Sequence, residues 1–354
     1  MNKIFNFQFS IFNKFKFIFK KPKVIIVTGE GRSCAKEAIY QVLVQYFKVG
    51  NEILLFETDL KEIEKFKFLV NKSSLLVLLA THVGDIPFDK DFFAGEKEKT
   101  IEIGKLAKSI PAQNFLVLNF DDETVREIKD ETNLGELTFG FQEGADFRAT
   151  DVKLNHGTNF KINYKGSIVP VWLEGLFGKE QIYAALAAVA AGTIFDLNLV
   201  EISQALKNYH SLPGKMRLIE GIKNSEILDD SESATPFSMI EAVEIFGKIQ
   251  GFKRKIAVLG DVMGIGKYTI EAHETIGERV VRNSDLLFTI GPRARFIAEG
   301  AKNKGFPLEK IFQFDTIDEA KLKLKEEIKE GDLILVDGSK EMKMGKIVEE
   351  LKKV

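Results

Sequence analysis

The residues with the clearest chemical potential lie in a short turn near the start of the chain. Gly29 and Gly31 follow an apolar run, and Arg32 and Ser33 open a helical pattern. The backbone N–H groups of such a turn, together with the positive end of a helix, favour a bound anion. Arg32 can hold a phosphate through two parallel hydrogen bonds, and Ser33 offers a hydroxyl to a magnesium ion. The turn therefore predicts a phosphate-binding loop.

This turn departs from the usual phosphate-loop pattern, G-x-x-x-x-G-K-[ST], in two ways. With Gly31 as the second glycine, the first would fall at Ile26, and Arg32 stands in place of the lysine. Arginine is bulkier than lysine and does not replace it directly. An ordinary strand-to-helix turn, capped by Ser33, stays open as the alternative.

Apolar runs and helical patterns alternate in the first half of the chain, and they predict the elements that position this turn. Buried strands are predicted from short apolar runs at residues 24–28, 53–56, 75–80 and 115–118. Helices are predicted at residues 33–47, 96–108 and 181–194. Strands that alternate with helices imply crossover connections and a largely parallel sheet. Residues 137–140 and 167–172 are more typical of an antiparallel extension.

A second strand–helix series begins after Ser211-Leu212-Pro213-Gly214, where proline and glycine indicate a boundary. Its strands are predicted at residues 227–229, 256–259, 286–290, 311–314 and 333–336. Its helices are predicted at residues 236–249, 271–283, 294–304, 317–329 and 343–352. The fold class is therefore α/β, with predicted domains at 22–211 and 212–354, the second of ordinary size at about 140 residues.

A segment rich in phenylalanine and lysine, residues 1–21, precedes these domains. Its lysines are interleaved with its aromatic residues, whereas a signal peptide keeps its charges ahead of one unbroken apolar stretch. The aromatic positions do not form one helical stripe either. Two interpretations stay open: the segment packs on the first domain, or it contacts a membrane surface or a partner protein.

Composition limits the class of protein. Lys+Arg 50 against Asp+Glu 52 leaves a net charge of -2, which argues against nucleic-acid partners because such proteins carry a basic excess. Cys34 is the single cysteine of the sequence, so an intrachain disulfide and a four-cysteine zinc site are excluded. A reducing, cytoplasmic location is expected. No apolar run reaches the roughly 18 residues that a membrane-spanning helix needs.

Short motifs follow one another in a characteristic order along residues 22–354. In the first half they are Pro22 to Gly29 leading into the turn, Asn119-Phe120-Asp121-Asp122, and Phe139-Gly140. In the second half they are Leu212-Pro213-Gly214-Lys215, Leu228-Asp229-Asp230-Ser231, Val258-Leu259-Gly260-Asp261, and Gly338-Ser339. In this order they resemble the Mur ligase family, most closely its MurF branch.

The resemblance implies a fold and an activity. The fold is a P-loop-type middle domain with a mostly parallel sheet, followed by a Rossmann-like C-terminal α/β domain. The activity is an ATP- and Mg-dependent ligation in peptidoglycan precursor synthesis, in which a carboxylate is phosphorylated and an amine then displaces the phosphate. MurF-like members join D-alanyl-D-alanine to a UDP-linked muramoyl tripeptide. A peptide or amino-acid substrate is therefore expected, with a UDP-muramoyl peptide as the candidate acceptor.

The resemblance also implies site residues, which are carried over by position. The implied catalytic residues are Arg32, Lys215 and Asp230. The implied nucleotide contacts are Gly29, Gly31, Arg32, Ser33 and Asn119. The implied metal ligands are Ser33 and Glu57, and the implied substrate contacts are His273, Gly338 and Ser339, with His273 facing the cleft.

Several positions differ from the family pattern. Lys215 stands in place of an arginine, and Glu180 and Ala184 stand in place of a nucleotide-contacting histidine and asparagine. About 22 residues precede the first predicted strand, too few for the family's N-terminal UDP-sugar domain. The alternative function is therefore that of a catalytically degenerate homologue, which acts as a binding or partner subunit in cell-wall assembly.

Overall fold

The computed structural model describes residues 21–59, 62, 66–70, 72–82, 98–126, 134–232 and 234–353. Contacts divide the chain into two compact units. The first comprises Met1–Gly84, Glu96–Arg148 and Tyr183–Ala205, and the second comprises Asp85–Gly95, Ala149–Ile182 and Leu206–Val354. The interpretations of segment 1–21 lie outside the described residues, apart from its last position, Lys21. No helix in the described ranges is both long and apolar enough to cross a membrane.

The first unit is built on parallel strands, of which β1, β3 and β4 are buried on both faces. The strands are β1 (Lys23–Thr28), β2 (Ile53–Thr58), β3 (Leu75–Ala80), β4 (Phe115–Asn119), β5 (Gly135–Gly140) and β6 (Phe147–Leu154). Their order is β2-β1-β3-β4-β5-β6, and β6 continues into the second unit. Continuous apolar runs such as Leu75–Ala80 are typical of strands covered on both faces.

One expectation about this sheet was wrong. Residues 137–140 do not begin an antiparallel extension, because β5 pairs in parallel with β4, with Asn119 opposite Phe139. The chain between β4 and β5, residues 120–134, is long enough for the crossover connection that parallel neighbours usually have. The second expected segment, 167–172, does pair antiparallel, within β8.

Helices of the first unit bury small and aliphatic side chains against the sheet. They are α1 (Arg32–Leu43), α2 (Lys67–Val70), α3 (Glu98–Ser109), α4 (Glu123–Arg126), α5 (Lys179–Ile194) and α6 (Leu199–Ala205). Helix α5 crosses from the second unit into the first at Ile182–Tyr183. In α1 the buried residues follow a helical period: Cys34, Ala35, Ala38, Ile39, Val42 and Leu43. This spacing fixes which face of α1 packs, and so fixes the direction of its N-terminus.

The second unit contains a hairpin and a six-stranded sheet. The hairpin is β7 (Gly157–Tyr164) and β8 (Ser167–Glu174). The sheet strands are β9 (Arg217–Glu220), β10 (Glu226–Asp230), β11 (Arg254–Gly260), β12 (Leu286–Ile290), β13 (Ile311–Phe314) and β14 (Asp332–Asp337). Their order is β13-β12-β11-β14-β10-β9, and all neighbours are parallel except β9 and β10.

Five helices cover this sheet: α7 (Pro236–Lys248), α8 (Thr269–Val280), α9 (Arg295–Asn303), α10 (Ile317–Glu327) and α11 (Gly345–Leu351). Helices α7 to α9 share one apolar core with the sheet, and α10 and α11 share another. The helix that follows β14 therefore lies on the opposite face from the helices that follow its two neighbours, β10 and β11. The crevice beside the carboxyl ends of strands at such a reversal is where open α/β sheets bind ligands.

Short 3₁₀ turns connect several of these elements, at Leu206–Asn208, Ile222–Asn224, Gly266–Tyr268, Leu308–Lys310 and Lys340–Met342. Helix α7 begins with a capping box, which also explains why its start was predictable. The Thr235 side chain accepts a hydrogen bond from Ser238 N at 3.1 Å, and the Ser238 side chain accepts one from Thr235 N at 2.8 Å.

The contact between α8 and α9 depends on two helical glycines. A Cβ at Gly277 would overlap the carbonyl oxygen of Ile297, and a Cβ at Gly300 would overlap that of Glu274. We expect Gly277→Ala to destabilise the fold by about 1–3 kcal/mol, since the obstructing atoms are backbone and the helices must separate. Thermal unfolding followed by circular dichroism measures this.

Gly345→Ala is the matched control, because the nearest atom to a Cβ there is Ser231 Oγ at 3.3 Å. Alanine is a better helix former than glycine, so this variant should unfold at the same temperature or slightly higher. Equal unfolding midpoints for Gly277→Ala and the unmodified protein would contradict the close-packing account.

Candidate functional site

The turn between β1 and α1 is held against the residues that follow β3. Glu30 N–H donates to the carbonyl oxygen of His82 at 2.6 Å, and Thr81 Oγ1 donates to that of Thr28 at 3.0 Å. Gly29 has φ 98°, and a Cβ there would overlap the carbonyl oxygen of His82, so the turn requires glycine. The turn is thereby fixed before any ligand binds.

The N-terminus of α1 lacks the side chains that usually accept hydrogen bonds from the first N–H groups of a helix. Gly31, with φ 70°, provides no side-chain cap, and the first turn contains no acidic residue. The first N–H groups of a helix have no partner within it, and the helix dipole is positive at this end. The observed geometry therefore fits a phosphate group, and phosphate binding at this turn stays a prediction.

The side chain of Arg32 folds back toward Gly29, at the start of the turn. Its Nη1 donates to the carbonyl oxygen of Gly29 at 3.0 Å, and its Nη2 lies 3.5 Å from Asp59 Oδ2, just after β2. The Asp59 side chain is 53% exposed, and ion pairs at such exposure contribute little stability. An incoming phosphate can therefore replace Asp59 as the partner of Arg32 at small cost.

The two predicted metal ligands, Ser33 and Glu57, differ in their present contacts. Glu57 Oε1 is paired with Lys36 Nζ at 2.9 Å, whereas Ser33 is half-buried in the first turn of α1. Within the described ranges, no group of three or more His, Cys, Asp or Glu residues could hold a metal. Mg²⁺ in nucleotide sites keeps several waters and phosphate oxygens and needs only one or two protein ligands. The donor set fits an ion of this kind.

Asn119, at the end of β4, carries an unused donor. Its side-chain oxygen accepts Asp121 N–H at 3.0 Å, while its buried Nδ2 has no hydrogen-bond partner among the described residues. A buried unpaired donor costs about 1–3 kcal/mol, so an acceptor on a ligand would stabilise it. This supports the nucleotide contact that the resemblance implied for Asn119.

The two aspartates after Asn119 organise the surrounding loops. Asp121 accepts Phe141 N–H at 2.7 Å, Gln142 N–H at 2.9 Å and the Tyr183 hydroxyl at 2.9 Å. Asp122 is buried, and its Oδ2 lies 2.8 Å from His82 Nδ1. The sequence did not reveal the His82–Asp122 pair, because 40 residues separate its members and only the parallel pairing of β3 and β4 brings them together.

The second unit contains a small cleft of about 70 Å³ around Lys215 and Asp230. The start of α5, residues 215–216, the end of β10 and the first turns of α7 line it. Lys215 Nζ lies 3.8 Å from Glu180 Oε1, and Asp230 Oδ1 accepts Met216 N–H at 3.2 Å. The structure thus brings together Lys215 and Asp230, two of the three predicted catalytic residues.

Asp230 and Asp337 form a buried acidic pair. They are opposite each other in the register of β10 and β14, and both are buried. Burial raises the pKa of each carboxyl well above its usual range; the charge of Asp337 raises that of Asp230 further, and Lys215 opposes both shifts. The Gly338 N–H lies near enough to oppose the rise in the pKa of Asp337, but neither side-chain oxygen of Asp337 makes a well-formed hydrogen bond among the described residues.

The structure places His273 in the core. Its Nδ1 donates to the carbonyl oxygen of Thr269 at 2.6 Å, and its Nε2 accepts Val262 N–H at 3.1 Å. Burial lowers the pKa of the imidazole, which favours its neutral form. His273 does not face a cleft, contrary to the expectation, because both ring nitrogens are used to hold α8 and the loop after β11; it can influence a substrate only through that loop.

Gly338 and Ser339 connect the loops at the carboxyl ends of the strands. Gly338 leaves no room for a side chain beside Met344. Ser339 Oγ accepts Met263 N–H at 2.8 Å and donates to the carbonyl oxygen of Ala234 at 3.3 Å. These contacts fix the loops after β10, β11 and β14 relative to each other.

Comparisons with known proteins show which family the chain resembles. The model of the Mur ligase middle domain matches residues 91–192, and that of the Mur ligase glutamate ligase domain matches residues 214–340. The boundary predicted at 211/212 lies between these stretches and stays a prediction. The UDP-N-acetylmuramoyl-tripeptide–D-alanyl-D-alanine ligase of Bacillus subtilis (strain 168) is 26% identical over 358 residues, which cover 93% of this chain and 76% of its own length.

Two solved structures have the same fold. MurF from Acinetobacter baumannii superposes with a TM-score of 0.80 at 20% identity, covering 95% of this chain and 78% of that one. MurF ligase from Thermotoga maritima in complex with ADP superposes with a TM-score of 0.74 at 21% identity, covering 95% and 81%. The predicted fold class, a mostly parallel sheet followed by a second α/β sheet, is confirmed.

Proposed function

Because this chain belongs to the Mur ligase family and carries its middle and C-terminal domains, we propose that it is an ATP-dependent amide ligase of peptidoglycan precursor synthesis. Its reaction is the one named for the Bacillus subtilis relative, which joins D-alanyl-D-alanine to a UDP-N-acetylmuramoyl tripeptide. The observation that carries the proposal is the uncapped, glycine-dependent turn at residues 29–33, which suits a nucleotide phosphate. A reaction that consumes ATP and a nucleotide-linked acceptor belongs in the cytoplasm.

The reaction has two steps. An oxygen of the acceptor carboxylate attacks the γ-phosphorus of ATP, ADP leaves, and an acyl phosphate forms. The amine nitrogen of the dipeptide then attacks the carbonyl carbon, loses a proton, and displaces inorganic phosphate together with the former carboxylate oxygen. Such transfers depend mainly on positioning and on neutralising the charge of the phosphoryl group.

We assign the phosphate to the α1 N-terminus and Arg32. The backbone N–H groups of residues 31–33, at the start of the helix, are donors to the phosphate. The guanidinium of Arg32 gives up its weak contact with Asp59 and donates to phosphate oxygens instead. Ser33 and Glu57 are the residues that would hold Mg²⁺, which neutralises phosphate charge when bound. To hold the ion, Glu57 would have to leave its ion pair with Lys36. Asn119 supplies its unpaired N–H to the nucleotide.

Lys215 and Asp230 are proposed to act in the second unit. The ammonium of Lys215 supplies positive charge to the cleft, in place of the arginine that the family has there. The raised pKa of Asp230 keeps its carboxyl protonated to higher pH. A protonated Asp230 does not compete with an anionic ligand for the charge of Lys215.

Phosphate release tests the proposal. The protein is incubated with ATP, Mg²⁺, UDP-N-acetylmuramoyl tripeptide and D-alanyl-D-alanine, and the amide product is followed by mass spectrometry. We expect one phosphate per amide bond, and none when any one substrate is omitted. Nucleotide binding without any amide product would instead support the alternative, a binding or partner subunit.

A further inference from the structure

His82 and Asp122 form a hydrogen-bonded pair just after β3 and β4. His82 Nδ1 lies 2.8 Å from Asp122 Oδ2, and the other oxygen of the carboxylate accepts Val125 N–H at 3.3 Å. The two side chains are 19% and 6% exposed, so the pair is largely shielded from water. Because a carboxylate only accepts hydrogen bonds, Nδ1 carries the proton of the neutral imidazole.

The second ring nitrogen of His82, Nε2, therefore keeps its lone pair. It makes no hydrogen bond to any residue that the structure describes. His273 differs in this respect, since both of its ring nitrogens are used. An imidazole that a carboxylate holds through Nδ1, with Nε2 unpaired, has the arrangement of a general base.

His82 borders the place where a phosphate is expected. Its carbonyl oxygen accepts Glu30 N–H from the turn at 2.6 Å, and Thr81 Oγ1 donates to the carbonyl oxygen of Thr28 at 3.0 Å. The register of β1 and β3 places Thr28 opposite Ala80, two residues before His82. Neighbouring strands are about 4.8 Å apart, so a group bound at the turn lies within one or two strand spacings of His82.

The order of the strands also indicates a ligand site at this edge of the sheet. From β1 the chain goes to β2 on one side and then to β3 on the other, so the strand order reverses between β1 and β3. Ligands of open α/β sheets bind in the crevice at the carboxyl ends of the strands at such a point. Asn119, whose Nδ2 has no partner among the described residues, ends the adjacent strand β4. Unused side-chain nitrogens thus follow two neighbouring strands that border this crevice.

The second step of the proposed reaction needs a base at the same place. In an acyl phosphate the carbonyl carbon is one oxygen atom away from the phosphorus, so the amine attacks at the edge of the sheet where the phosphate is held. The nitrogen becomes positively charged as its bond to carbon forms, and it must lose a proton to give the amide.

We propose that His82 is the general base of this second step and that Asp122 positions it. The inference rests on the proposed function. As the bond between nitrogen and carbon forms, the proton on nitrogen passes to His82 Nε2. The bond between carbon and the phosphate oxygen then breaks, inorganic phosphate leaves, and the imidazolium returns the proton to water. The Asp122 carboxylate offsets the positive charge of the imidazolium while it exists.

Two nucleophiles separate the two steps in the test. The protein is given ATP, Mg²⁺ and UDP-N-acetylmuramoyl tripeptide with either D-alanyl-D-alanine or hydroxylamine. Hydroxylamine is a weak base, so its adduct loses a proton to water readily. The hydroxamate that forms therefore reports the acyl phosphate without needing a base from the protein.

His82→Asn is the decisive variant. Its amide nitrogen stands close to the place of Nδ1 and keeps a donor for Asp122, whereas Nε2 is lost. We expect amide formation from the dipeptide to slow by about 100- to 10,000-fold, with KM for the dipeptide nearly unchanged. Hydroxamate formation should be unaltered, because the first step does not use the base.

Asp122→Asn tests the positioning role. It should slow amide formation and spare hydroxamate formation, since an asparagine can hold the imidazole in the wrong tautomer. The double variant should be no slower than His82→Asn alone, because both substitutions remove the same proton transfer. A purely structural role of Asp122 would instead add a further loss in both assays.

His210→Asn is the matched control, since His210 is exposed and belongs to the second unit. Both of its rates should equal those of the unmodified protein. Amide formation by His82→Asn at the unmodified rate overturns the inference, and so does an equal loss of amide and hydroxamate. Either result leaves the proposed function standing as long as the unmodified protein forms the amide. If the unmodified protein forms neither product, the proposed function fails and this inference fails with it.

Discussion

Replacing Arg32 by alanine is expected to weaken the binding of Mg-ATP by about 10- to 100-fold, because the phosphate loses its charge-assisted hydrogen bonds to the guanidinium. Arg32 is the first residue of α1, and its fork already bridges the carbonyl oxygen of Gly29 and Asp59. Calorimetric titration of Mg-ATP into the two proteins measures the difference. Arg32→Lys keeps the charge but loses the fork, so it should fall between them.

Asp59→Asn is the matched control for this experiment. It removes the acidic partner of Arg32 without touching the turn. Since phosphate no longer has to displace a carboxylate, Mg-ATP should bind equally well or slightly more tightly. Identical affinities for the unmodified protein and Arg32→Ala would show that the turn at residues 29–33 is not the nucleotide site.

Replacing Asp337 by asparagine is expected to stabilise the protein at neutral pH by about 1–3 kcal/mol, because it removes a buried carboxylate whose charge the Gly338 N–H and Lys215 only partly compensate. Asp337 is fully buried, and neither side-chain oxygen makes a well-formed hydrogen bond among the described residues. An asparagine of the same shape stays neutral at every pH and can donate to the neighbouring Asp230. Thermal unfolding monitored across pH measures the gain.

The pH dependence has a defined sign. Burial raises the pKa of Asp337 above the ordinary value of 3.8, so the folded state keeps a proton that the unfolded chain has already released. The stabilisation of the folded state by this retained proton is complete below pH 3.8, the ordinary pKa. It is lost as the pH rises through the higher pKa that Asp337 has in the folded state. The advantage of Asp337→Asn should therefore grow from acidic to mildly alkaline pH.

Asp332→Asn is the control on the same strand, with the opposite expected sign. Asp332 is also buried, but Arg254 donates to both of its oxygens, at 3.1 and 2.7 Å. Its replacement should lower the unfolding midpoint, since an arginine loses its partner. A lower midpoint for Asp337→Asn, or a gain that does not vary with pH, would contradict the account of the acidic pair.

The strands that are buried on both faces were predicted best from the sequence. Leu75–Ala80 and Leu286–Ile290 have the bounds that their apolar runs indicated, and so does the edge strand Ile311–Phe314, which is only partly buried. Strands β6, β7 and β9 were missed, because polar residues interrupt their apolar ones and leave no continuous apolar run to indicate a strand. Several helices ended earlier than predicted, as α1 does at Leu43, where the amphipathic pattern continued into a turn.

In the candidate site, too, local features could be predicted from the sequence and long-range contacts could not. The turn at Gly29 was predictable, since a strand, two glycines and a helix start follow one another in the sequence. The pairing of Asp230 with Asp337 was not, because it depends on a strand register that joins positions more than a hundred residues apart. The residue type of His273 suggested a ligand contact, but the burial and bonding of its ring emerge only from the packing of α8.

The division of the chain shows a similar limit. Residues 149–182, with the hairpin of β7 and β8, belong by contacts to the second unit, although the sequence placed them before the predicted boundary at 211/212. Pro213 and Gly214 indicate where the second strand–helix series begins, but they carry no information about where an earlier hairpin packs.

The fate of an isotopic label tests the central claim most directly. UDP-N-acetylmuramoyl tripeptide is prepared with a heavy oxygen isotope at both oxygens of its acceptor carboxylate and is ligated to D-alanyl-D-alanine with unlabelled ATP. If a carboxylate is phosphorylated before the amine attacks, each inorganic phosphate released carries one heavy oxygen, because the bond between carbon and that oxygen breaks in the second step. Phosphate released without the label, or no amide product at all, would contradict an ATP-dependent ligase.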